Sequence, residues 1–282
     1  MTVSYRKNER IKLFFTYLFI LIMILYVLFP VVWTFVSSLN PGDSLFSSEM
    51  SFLPKRVTWE HYRELFAETN YGRWYLNTIK VAVATSAITV VLVTFTAYAF
   101  SRLQFFGRKT GLVTILVLQM FPGIMNMVAI YVLLNLLGLL DTHLGLIIIY
   151  AGGGIPYNSW LMKGYMDGIP RSLEEAAIID GASNWKIMWR IIFPLILPMV
   201  SVIAIFSFVS PFGDFLFARL VLTTPTNWTL SLGLYDFISG RFGQRYTQFA
   251  AGALLAALPI TILYLSLQSL LISGLAKGSV KG

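Results

Sequence analysis

Six long stretches without a charged residue or histidine dominate the chain. Each supplies the roughly 20 apolar residues that a helix needs to cross a bilayer. A further gap, 220–235, contains "LTTPTNWTLS" and is too polar and too interrupted by proline to span. The pattern therefore predicts an all-α membrane protein with six transmembrane helices. The charge-free stretches are 13–42, 81–101, 110–140, 144–162, 191–213 and 246–276.

The predicted organisation is one membrane domain between two short tails. A segment at 1–12 precedes the first helix, and a tail at 274–282 follows the last one. The first apolar run is too long for a signal peptide and lacks a cleavage site, so we expect an uncleaved first helix. A polar loop, 167–189, separates the fourth and fifth spans. The predicted spans are 13–37, 77–101, 111–136, 144–166, 190–217 and 247–273.

Composition and charge narrow the class of protein. Hydrophobic residues make up 57% of the chain and charged residues only 12%, about half the share in soluble domains. Most of the 21 lysines and arginines fall on the side of the two termini, so we expect both termini and the net charge of +8 on the cytoplasmic side. No basic stripe with interleaved aromatic residues forms a domain, so no nucleic-acid partner is expected. The absence of cysteine excludes disulfides and thiolate metal sites.

One polar segment, "RSLEEAAIIDGASNWKIMWRIIFP" at 171–194, interrupts the apolar pattern. Ser172 and Glu175 have the spacing of a capping box, and Gly181 suits a left-handed helix end. Ser183 or Asn184 then caps a second helix, so the segment predicts two capped helices on the cytoplasmic surface. A helix of two turns needs packing against something. It lies either on lipid headgroups or in a protein groove, and its acidic first turn favours the groove.

The spacing within this segment resembles a known signature. Glu175-Ala176-Ala177, three residues, Gly181, nine residues and then Ile191-Ile192-Phe193-Pro194 resemble the EAA motif of ABC importer permeases. Phe193 departs from the usual leucine. In that family the loop forms coupling helices that sit in a cleft of an ATPase subunit. The resemblance implies that the ATPase-coupling residues are Glu174, Glu175, Ala176, Ala177, Asp180 and Gly181.

A second resemblance lies near the C-terminus. "ALPITI" at 257–262 and the ending Gly274-Leu275…Gly278…Val280-Lys281-Gly282 are similar to MalG-type permeases of maltose and other oligosaccharide importers. The resemblance implies the type I importer permease fold. It also implies a tail that reaches between the ATPase subunits, through Lys277, Gly278, Val280 and Lys281. The outer loop before the last helix would enter the cleft of a sugar-binding protein, through Thr226, Asn227, Trp228 and Tyr235.

The two resemblances together imply a function and a set of partners. The chain is expected to be a permease subunit of an ATP-driven, binding-protein-dependent oligosaccharide importer in a bacterial or archaeal cytoplasmic membrane. Its partners would be a second, MalF-like permease subunit, two ATP-binding subunits, an extracellular or periplasmic solute-binding protein and membrane lipid. ATP and magnesium would bind in the ATPase subunits. This chain is therefore expected to be no enzyme and to hold no cofactor or metal.

Polar residues within and beside the spans have two interpretations each. Four amides either line a path for a hydroxyl-rich solute or make hydrogen bonds between helices. Asp214 is expected to form an ion pair with Arg219, and His61 and His143 are expected to be solvated. "AGGGIP" in the fourth span lacks the lysine and spacing of a phosphate loop and predicts close packing and a kink. The four amides are Gln119, Asn126, Asn135 and Asn158.

Three other functions compete with this interpretation. A self-sufficient secondary transporter would show ionisable residues within the spans or an inverted repeat, and the sequence shows neither. A membrane-embedded enzyme would need a catalytic constellation within the spans. An ABC permease for a polyol, an amino acid or phosphate shares the coupling loop, so only the C-terminal resemblance favours a sugar.

Overall fold

The computed structural model describes residues 2–42, 56–239 and 245–278, and the regular elements in these ranges are helical. Five of them are long: α1 (Thr2–Ser38), α3 (Tyr71–Arg102), α6 (His143–Asp167), α9 (Phe193–Gly213) and α12 (Tyr246–Gly278). Seven shorter helices lie between them. These are α2 (Glu60–Ala67), α4 (Gly111–Gln119), α5 (Gly123–Leu136), α7 (Ser172–Ile179), α8 (Asn184–Ile187), α10 (Leu216–Val221) and α11 (Leu230–Ser239).

Four helical stretches in the described ranges are long and apolar enough to cross a membrane. They are Ile11–Ser38, Tyr71–Arg102, Asn184–Gly213 and Tyr246–Ile272. Helix α6 has the length of a span but carries three consecutive glycines and several polar residues, so the predicted fourth span remains a prediction. The helical class and the several apolar helices agree with the predicted membrane fold.

The predicted third span, 111–136, is not one straight helix. It consists of α4 and α5, which are bent by 97° at a short break. Pro122 cannot donate a backbone hydrogen bond and keeps Phe121 out of the helical region, and its own ψ of 125° is not helical. The prediction of a single continuous helix was therefore wrong at the "FPG" sequence.

The predicted fifth span, 190–217, begins earlier and ends earlier than expected. Helix α8 runs into α9 without interruption through a π-helical turn at Met188–Ile192. Because Pro194 lacks an N–H, the turn before it loses its ordinary hydrogen bond and widens; Phe193 N–H instead reaches the carbonyl of Met188. The helix then stops at Gly213, so α8 and α9 form one continuous helical stretch, Asn184–Gly213.

The described residues form two compact units, one of which contains 1–69 and 234–255. Within it, α2 follows a turn in which Thr58 Oγ1 accepts a hydrogen bond from Glu60 N–H. His61 is buried and donates from Nε2 to the Asn40 carbonyl at 2.9 Å. The expectation of a solvated His61 was wrong, because the ring serves as a bridge between two backbone segments.

The other unit contains 70–233 and 256–282, and α3 is its central helix. Helices α6 and α9 pack along α3. The α3 face is rich in small hydroxylated residues such as Thr85 and Thr89, which are buried. Small residues allow helices to approach closely in lipid, and a side chain on Gly154 of α6 would touch Thr89. The close packing predicted at "AGGGIP" is therefore found at Gly154. Pro156 does not end the helix, and α6 continues to Asp167.

Candidate coupling site

Helix α7 is set by backbone hydrogen bonds rather than by the predicted capping box. The structure starts α7 at Ser172, whose side chain caps nothing, and Arg171 occupies the N-cap position. The Arg171 carbonyl accepts from the N–H groups of Glu174 and Glu175 at 2.9 and 3.0 Å. The predicted Ser172–Glu175 capping box was therefore wrong. Arg171 already has a helical conformation, so the helix starts one residue earlier than the box requires.

The end of α7 matches the sequence prediction. Gly181 adopts φ +78°, a left-handed conformation that side chains with a Cβ rarely occupy. Ala182 N–H reaches the Ala177 carbonyl at 2.9 Å, and Gly181 N–H reaches Ile178 at 2.9 Å. This pattern closes a helix end of the Schellman type. Ser183 then caps α8 by accepting from Lys186 N–H, so the predicted elbow between two helices is confirmed.

The two glutamates in the first turn of α7 differ in exposure. Glu174 Oε1 lies 2.5 Å from Arg102 Nε, and the two side chains are only 12% and 5% exposed. Glu175 is exposed. The pair joins α7 to the end of α3. Removal of either partner would leave an unpaired, largely buried charge, which destabilises a folded protein.

A polar network surrounds this ion pair at the end of α3. Arg102 also donates to Ser101 Oγ at 3.0 Å and to the Ile169 carbonyl at 3.1 Å. Ser101 Oγ in turn donates to Asp167 Oδ1 at 2.6 Å. Arg171 donates to the Ser101 carbonyl at 3.1 Å. The start of α7 is thus tied both to α3 and to the end of α6.

The exposed and buried faces of α7 are chemically distinct. Ala177 is 9% exposed and belongs to an apolar cluster with Met166 of α6 and Ile187 of α8. On the other side, Leu173 and Ile179 are exposed, the latter at 86%. Glu175 and Asp180, which are acidic and exposed, flank these apolar residues. We call the exposed residues Leu173, Glu175, Ala176, Ile179 and Asp180 the α7 outer face.

An aromatic cluster holds α8 against α3. The rings of Trp185 and Phe95 stack with centroids 6.2 Å apart and an interplanar angle of 14°. Trp189 packs edge-on to both Trp185 and Phe95 and lies 4.9 Å from Phe193. Aromatic pairs of this geometry contribute about 0.5–1.5 kcal/mol each beyond simple burial. Phe193, where the EAA motif usually has leucine, therefore extends the cluster.

The loop at 222–229, which precedes α11, is held by contacts on two sides. Trp74 Nε1 donates to the Pro225 carbonyl at 2.8 Å, and Asn77 donates to the Thr226 and Trp228 carbonyls at 3.0 Å each. The Trp228 ring lies 6.0 Å from the Trp74 ring. These contacts fix the loop against the start of α3 and leave Thr226 exposed.

Hydrogen bonds to Asp141 hold the loop at 222–229 at a second point. Its carboxylate accepts hydrogen bonds from the N–H groups of Thr223 and Thr224 at 3.0 Å and from Thr224 Oγ1 at 2.6 Å. Burial raises the pKa of the Asp141 carboxyl, but these hydrogen bonds and one from Asn227 outweigh it, so the net pKa lies below its usual value. His143 Nε2 donates to the Asn227 carbonyl at 2.9 Å. The expectation of a solvated His143 was therefore also wrong.

Asp214 makes contacts other than the predicted ion pair with Arg219. Its carboxylate accepts from Tyr150 at 2.7 Å and from Ala218 N–H at 3.0 Å. Arg219 instead lies over the Trp228 ring, with 6.0 Å between its Cζ and the ring centroid. In the described part of the chain no Asp214–Arg219 ion pair forms. The prediction of that pair was wrong because Asp214 occupies the start of α10, where the helix N–H groups compete for the carboxylate.

Most of the chain matches one known protein family. Residues 93–277 match the binding-protein-dependent transport system inner membrane component family. The chain belongs to this family. The match contains α7, Gly181 and the aromatic cluster around α8. It ends close to the C-terminus of α12.

Relatives that match this chain over nearly its whole length are also transport permeases. The galactooligosaccharides transport system permease protein GanQ of Bacillus subtilis is 44% identical over 285 residues, covering 100% of both chains. The maltodextrin transport system permease protein MdxG of the same organism is 42% identical over 267 residues, covering 95% of each chain. The chain is thus similar from end to end to permease subunits of ABC transport systems.

A solved structure shares the fold. A chain in the crystal structure of a bacterial ABC transporter involved in the import of the acidic polysaccharide alginate superposes with a TM-score of 0.79. The alignment covers 93% of this chain and 97% of that chain at 24% sequence identity. At this identity the likeness establishes the type I importer permease fold and nothing about the solute.

The four amides predicted for a solute path take different positions in this family member. Gln119, at the end of α4, donates to the Gly153 carbonyl of α6 at 2.7 Å. Asn158 is buried beside Gly154. Asn126 and Asn135 are exposed on α5. The first two therefore make contacts between or within helices, and the role of the last two in a path remains a prediction.

The remaining predicted sites lie partly outside the described residues. Val280 and Lys281 fall outside them, and α12 reaches Gly278 in backbone only. Tyr235 is exposed on α11. Within the described ranges no group of three or more histidine or acidic side chains is placed to hold a metal ion.

Sequence reasoning missed several residues that build these sites. Arg102, Trp74 and Asp141 escaped notice because their partners are far away in the chain. A weak signal existed for Asp141, since it follows "GLL" and precedes a helix start, and aspartate is common in turns. No local pattern could have paired Arg102 with Glu174.

Proposed function

We propose that the chain is a permease subunit of an ATP-driven, binding-protein-dependent importer of oligosaccharides. In this proposal the α7 outer face docks into a cleft of an ATP-binding subunit. The supporting observation is the division of α7 into one face packed on the bundle and one exposed apolar face with Glu175 and Asp180 at its edge. A short amphipathic helix of this kind fits a protein groove.

The proposed mechanism requires no covalent chemistry in this chain. ATP and magnesium bind in two partner ATP-binding subunits, whose closure displaces α7. The Arg102–Glu174 ion pair carries that displacement into α3, and the continuous helix from α8 into α9 carries it into the fifth span. Partners shift the inward-open and outward-open states only through contacts that differ between them. By linkage, a solute-loaded binding protein that favours the outward-open state also tightens ATP binding.

The other partners follow from the same proposal. Both termini and the α7–α8 segment lie on the cytoplasmic side, where the positive-inside rule places them. The loop at 222–229 lies outside and meets the solute-binding protein, with Thr226 at its exposed tip. A second permease subunit completes the translocation path. The firm attachment of this loop by Trp74, Asn77 and Asp141 supports a contact surface that keeps its shape.

An oligosaccharide is the favoured solute because GanQ and MdxG are each named for one. Their identities, 44% for GanQ and 42% for MdxG, are too close to choose between galactooligosaccharides and maltodextrins. The direct test is uptake by a strain that lacks this chain, with radiolabelled maltotriose and galactobiose as solutes. Loss of uptake of one sugar and its return with a plasmid copy support the proposal.

Two other outcomes of this experiment count against the proposal. Normal uptake of both sugars, with loss of uptake of a polyol, an amino acid or phosphate, assigns the chain to a different ABC importer. Transport by the purified chain alone in liposomes, without ATP or partners, makes it a secondary transporter. A plasmid copy carrying Gly181→Pro is the matched control, because it should insert normally and fail to restore uptake.

A further inference from the structure

A basic cleft of about 720 Å³ opens where α3, α4 and α6 end on the same side as α7. Phe100 lies two residues before the end of α3, and Thr110 immediately precedes α4. Lys163 lies one turn before the end of α6. Since α3 is long and apolar enough to cross a membrane, we expect its end, and the cleft beside it, at the depth of the lipid headgroups. Its main lining residues are Phe100, Phe105, Arg108, Lys109, Thr110 and Lys163.

The cleft has a surplus of positive charge. None of the described residues that line it is acidic. Lys163 is neutralised by Asp167 at 2.6 Å, whereas Arg108 is bonded to backbone carbonyls, those of Phe100 at 2.9 Å and Ser101 at 2.8 Å. These bonds fix the Arg108 guanidinium in place without cancelling its charge. Lys109 is exposed and forms no ion pair within the described ranges.

An apolar groove continues from this cleft along α4. A second cavity, of about 360 Å³, shares Lys109 and Thr110 with the cleft. Its other lining residues are Val113, Thr114, Val117 and Leu118, which recur at helical spacing on one face of α4. A fixed cationic end joined to an apolar groove matches the two chemical halves of a phospholipid.

We propose that this cleft and groove bind one anionic phospholipid of the inner leaflet. The phosphate lies beside Arg108 and Lys109, and one acyl chain lies along Val113 and Val117 of α4. Basic pockets between transmembrane helices on the cytoplasmic side bind anionic headgroups in this manner. The inference uses the proposed cytoplasmic side of α7 but not the identity of the transported solute.

The test uses the assembled importer in nanodiscs of mixed phosphatidylglycerol and phosphatidylcholine. Native mass spectrometry of the released complex measures the ratio of the two lipids that remain bound. Lys109→Gln should lower the preference for phosphatidylglycerol about fivefold, the effect of one basic residue near the headgroups. Lys109→Arg should retain it. Lys12→Gln, which removes an exposed charge near the start of the first span, is the matched control and should change nothing.

A second variant separates a lipid from a free anion. Val117→Phe narrows the apolar groove and leaves Arg108 and Lys109 unchanged, so it should also lower the amount of retained phosphatidylglycerol. Inorganic phosphate should not displace the lipid. Displacement by phosphate together with normal retention in Val117→Phe would mean a free-anion site and overturn the proposal. Equal retention of both lipids by the unmodified complex, or equal effects of Lys109→Gln and Lys12→Gln, would overturn it as well. Sugar uptake plays no part in these measurements.

Discussion

Arg102 Nε lies 2.5 Å from Glu174 Oε1, and this ion pair joins the end of α3 to the first turn of α7. The adjacent Glu175 is exposed. Two neighbouring acidic residues therefore have different tasks. Glu174 holds α7 on the bundle, and Glu175 remains available to a partner.

Neutralising each glutamate in turn separates these tasks. Glu174→Gln leaves Arg102 charged and buried, which should destabilise the folded chain by about 3–5 kcal/mol and lower the unfolding temperature of the purified complex. Glu175→Gln should leave that temperature unchanged and weaken the response of ATP hydrolysis to the binding protein. The same loss of thermal stability in both variants would contradict this division.

The glycine elbow after α7 provides a graded series. Gly181 has φ +78° and open space around its Cβ position, so a substitution introduces backbone strain without a clash. Gly181→Ala should cost about 1–2 kcal/mol, and Gly181→Asn less, because asparagine tolerates the left-handed region. Uptake should fall in the order Gly, Asn, Ala, while the amount of inserted protein stays constant.

Gly164→Ala is the matched control for this series. Gly164 lies within α6, also with open space around its Cβ position, and has no positive φ. Uptake that falls equally in Gly164→Ala, or that is higher for Ala than for Asn at position 181, would show that the left-handed turn is unimportant.

The packing of Gly233 against Trp74 gives a test of the loop at 222–229. A Cβ on Gly233 would fall within the Trp74 indole ring. Gly233→Ala should therefore destabilise the loop by about 1–3 kcal/mol, seen as faster protease cleavage between 222 and 233. Gly213→Ala, where a Cβ meets nothing, should have no such effect.

A double variant checks the cause. Trp74→Leu removes the ring with which the new methyl group would clash. It also removes the hydrogen bond to the Pro225 carbonyl. Gly233→Ala should therefore cost less in the Trp74→Leu background than in the native one, since residues in contact are not additive. Equal costs in both backgrounds would show that the clash is absent.

The lowered pKa of Asp141 leads us to expect that the stability of the loop at 222–229 depends on pH. Because folding lowers its pKa, its carboxylate contributes stability above the unfolded pKa of about 3.9. That contribution disappears as the pH falls through the lower folded pKa. Asp141→Asn should thus lower the thermal stability at pH 7, and the difference from the native chain should shrink below about pH 4. A difference that is the same at pH 7 and in acid would contradict this assignment.

The parts of the fold that local chemistry controls could be predicted from the sequence. Apolar run lengths located the long helices, and Gly181 and Ser183 located the elbow, because a left-handed turn and an N-cap depend on single residues. The break at Pro122 was visible as "FPG" but was interpreted as part of one span. Its bend depends on how α4 and α5 pack, which run length does not report.

The parts that depend on tertiary contacts could not be predicted. Ser172 has the right spacing for a capping box, yet Arg171 occupies the N-cap position, one residue earlier. The sequence around His61 and His143 suggested solvent-exposed loops, but the two residues lie in α2 and at the start of α6. Each contacts a backbone carbonyl in another segment. Which side of α7 faces the bundle depends on Arg102, and only the structure places Arg102 beside Glu174.

The most direct measurement of the central proposal is disulfide crosslinking from the two faces of α7. The chain has no native cysteine, so Ile179→Cys on the α7 outer face and Ala177→Cys on the packed face differ in orientation alone. In membranes containing the complete importer with cysteines in the cleft of its ATP-binding subunit, Ile179→Cys should crosslink to that subunit and Ala177→Cys should not. Crosslinking of neither variant, with Ile179→Cys labelled instead by a lipid-soluble reagent, would contradict docking and place α7 on the membrane surface.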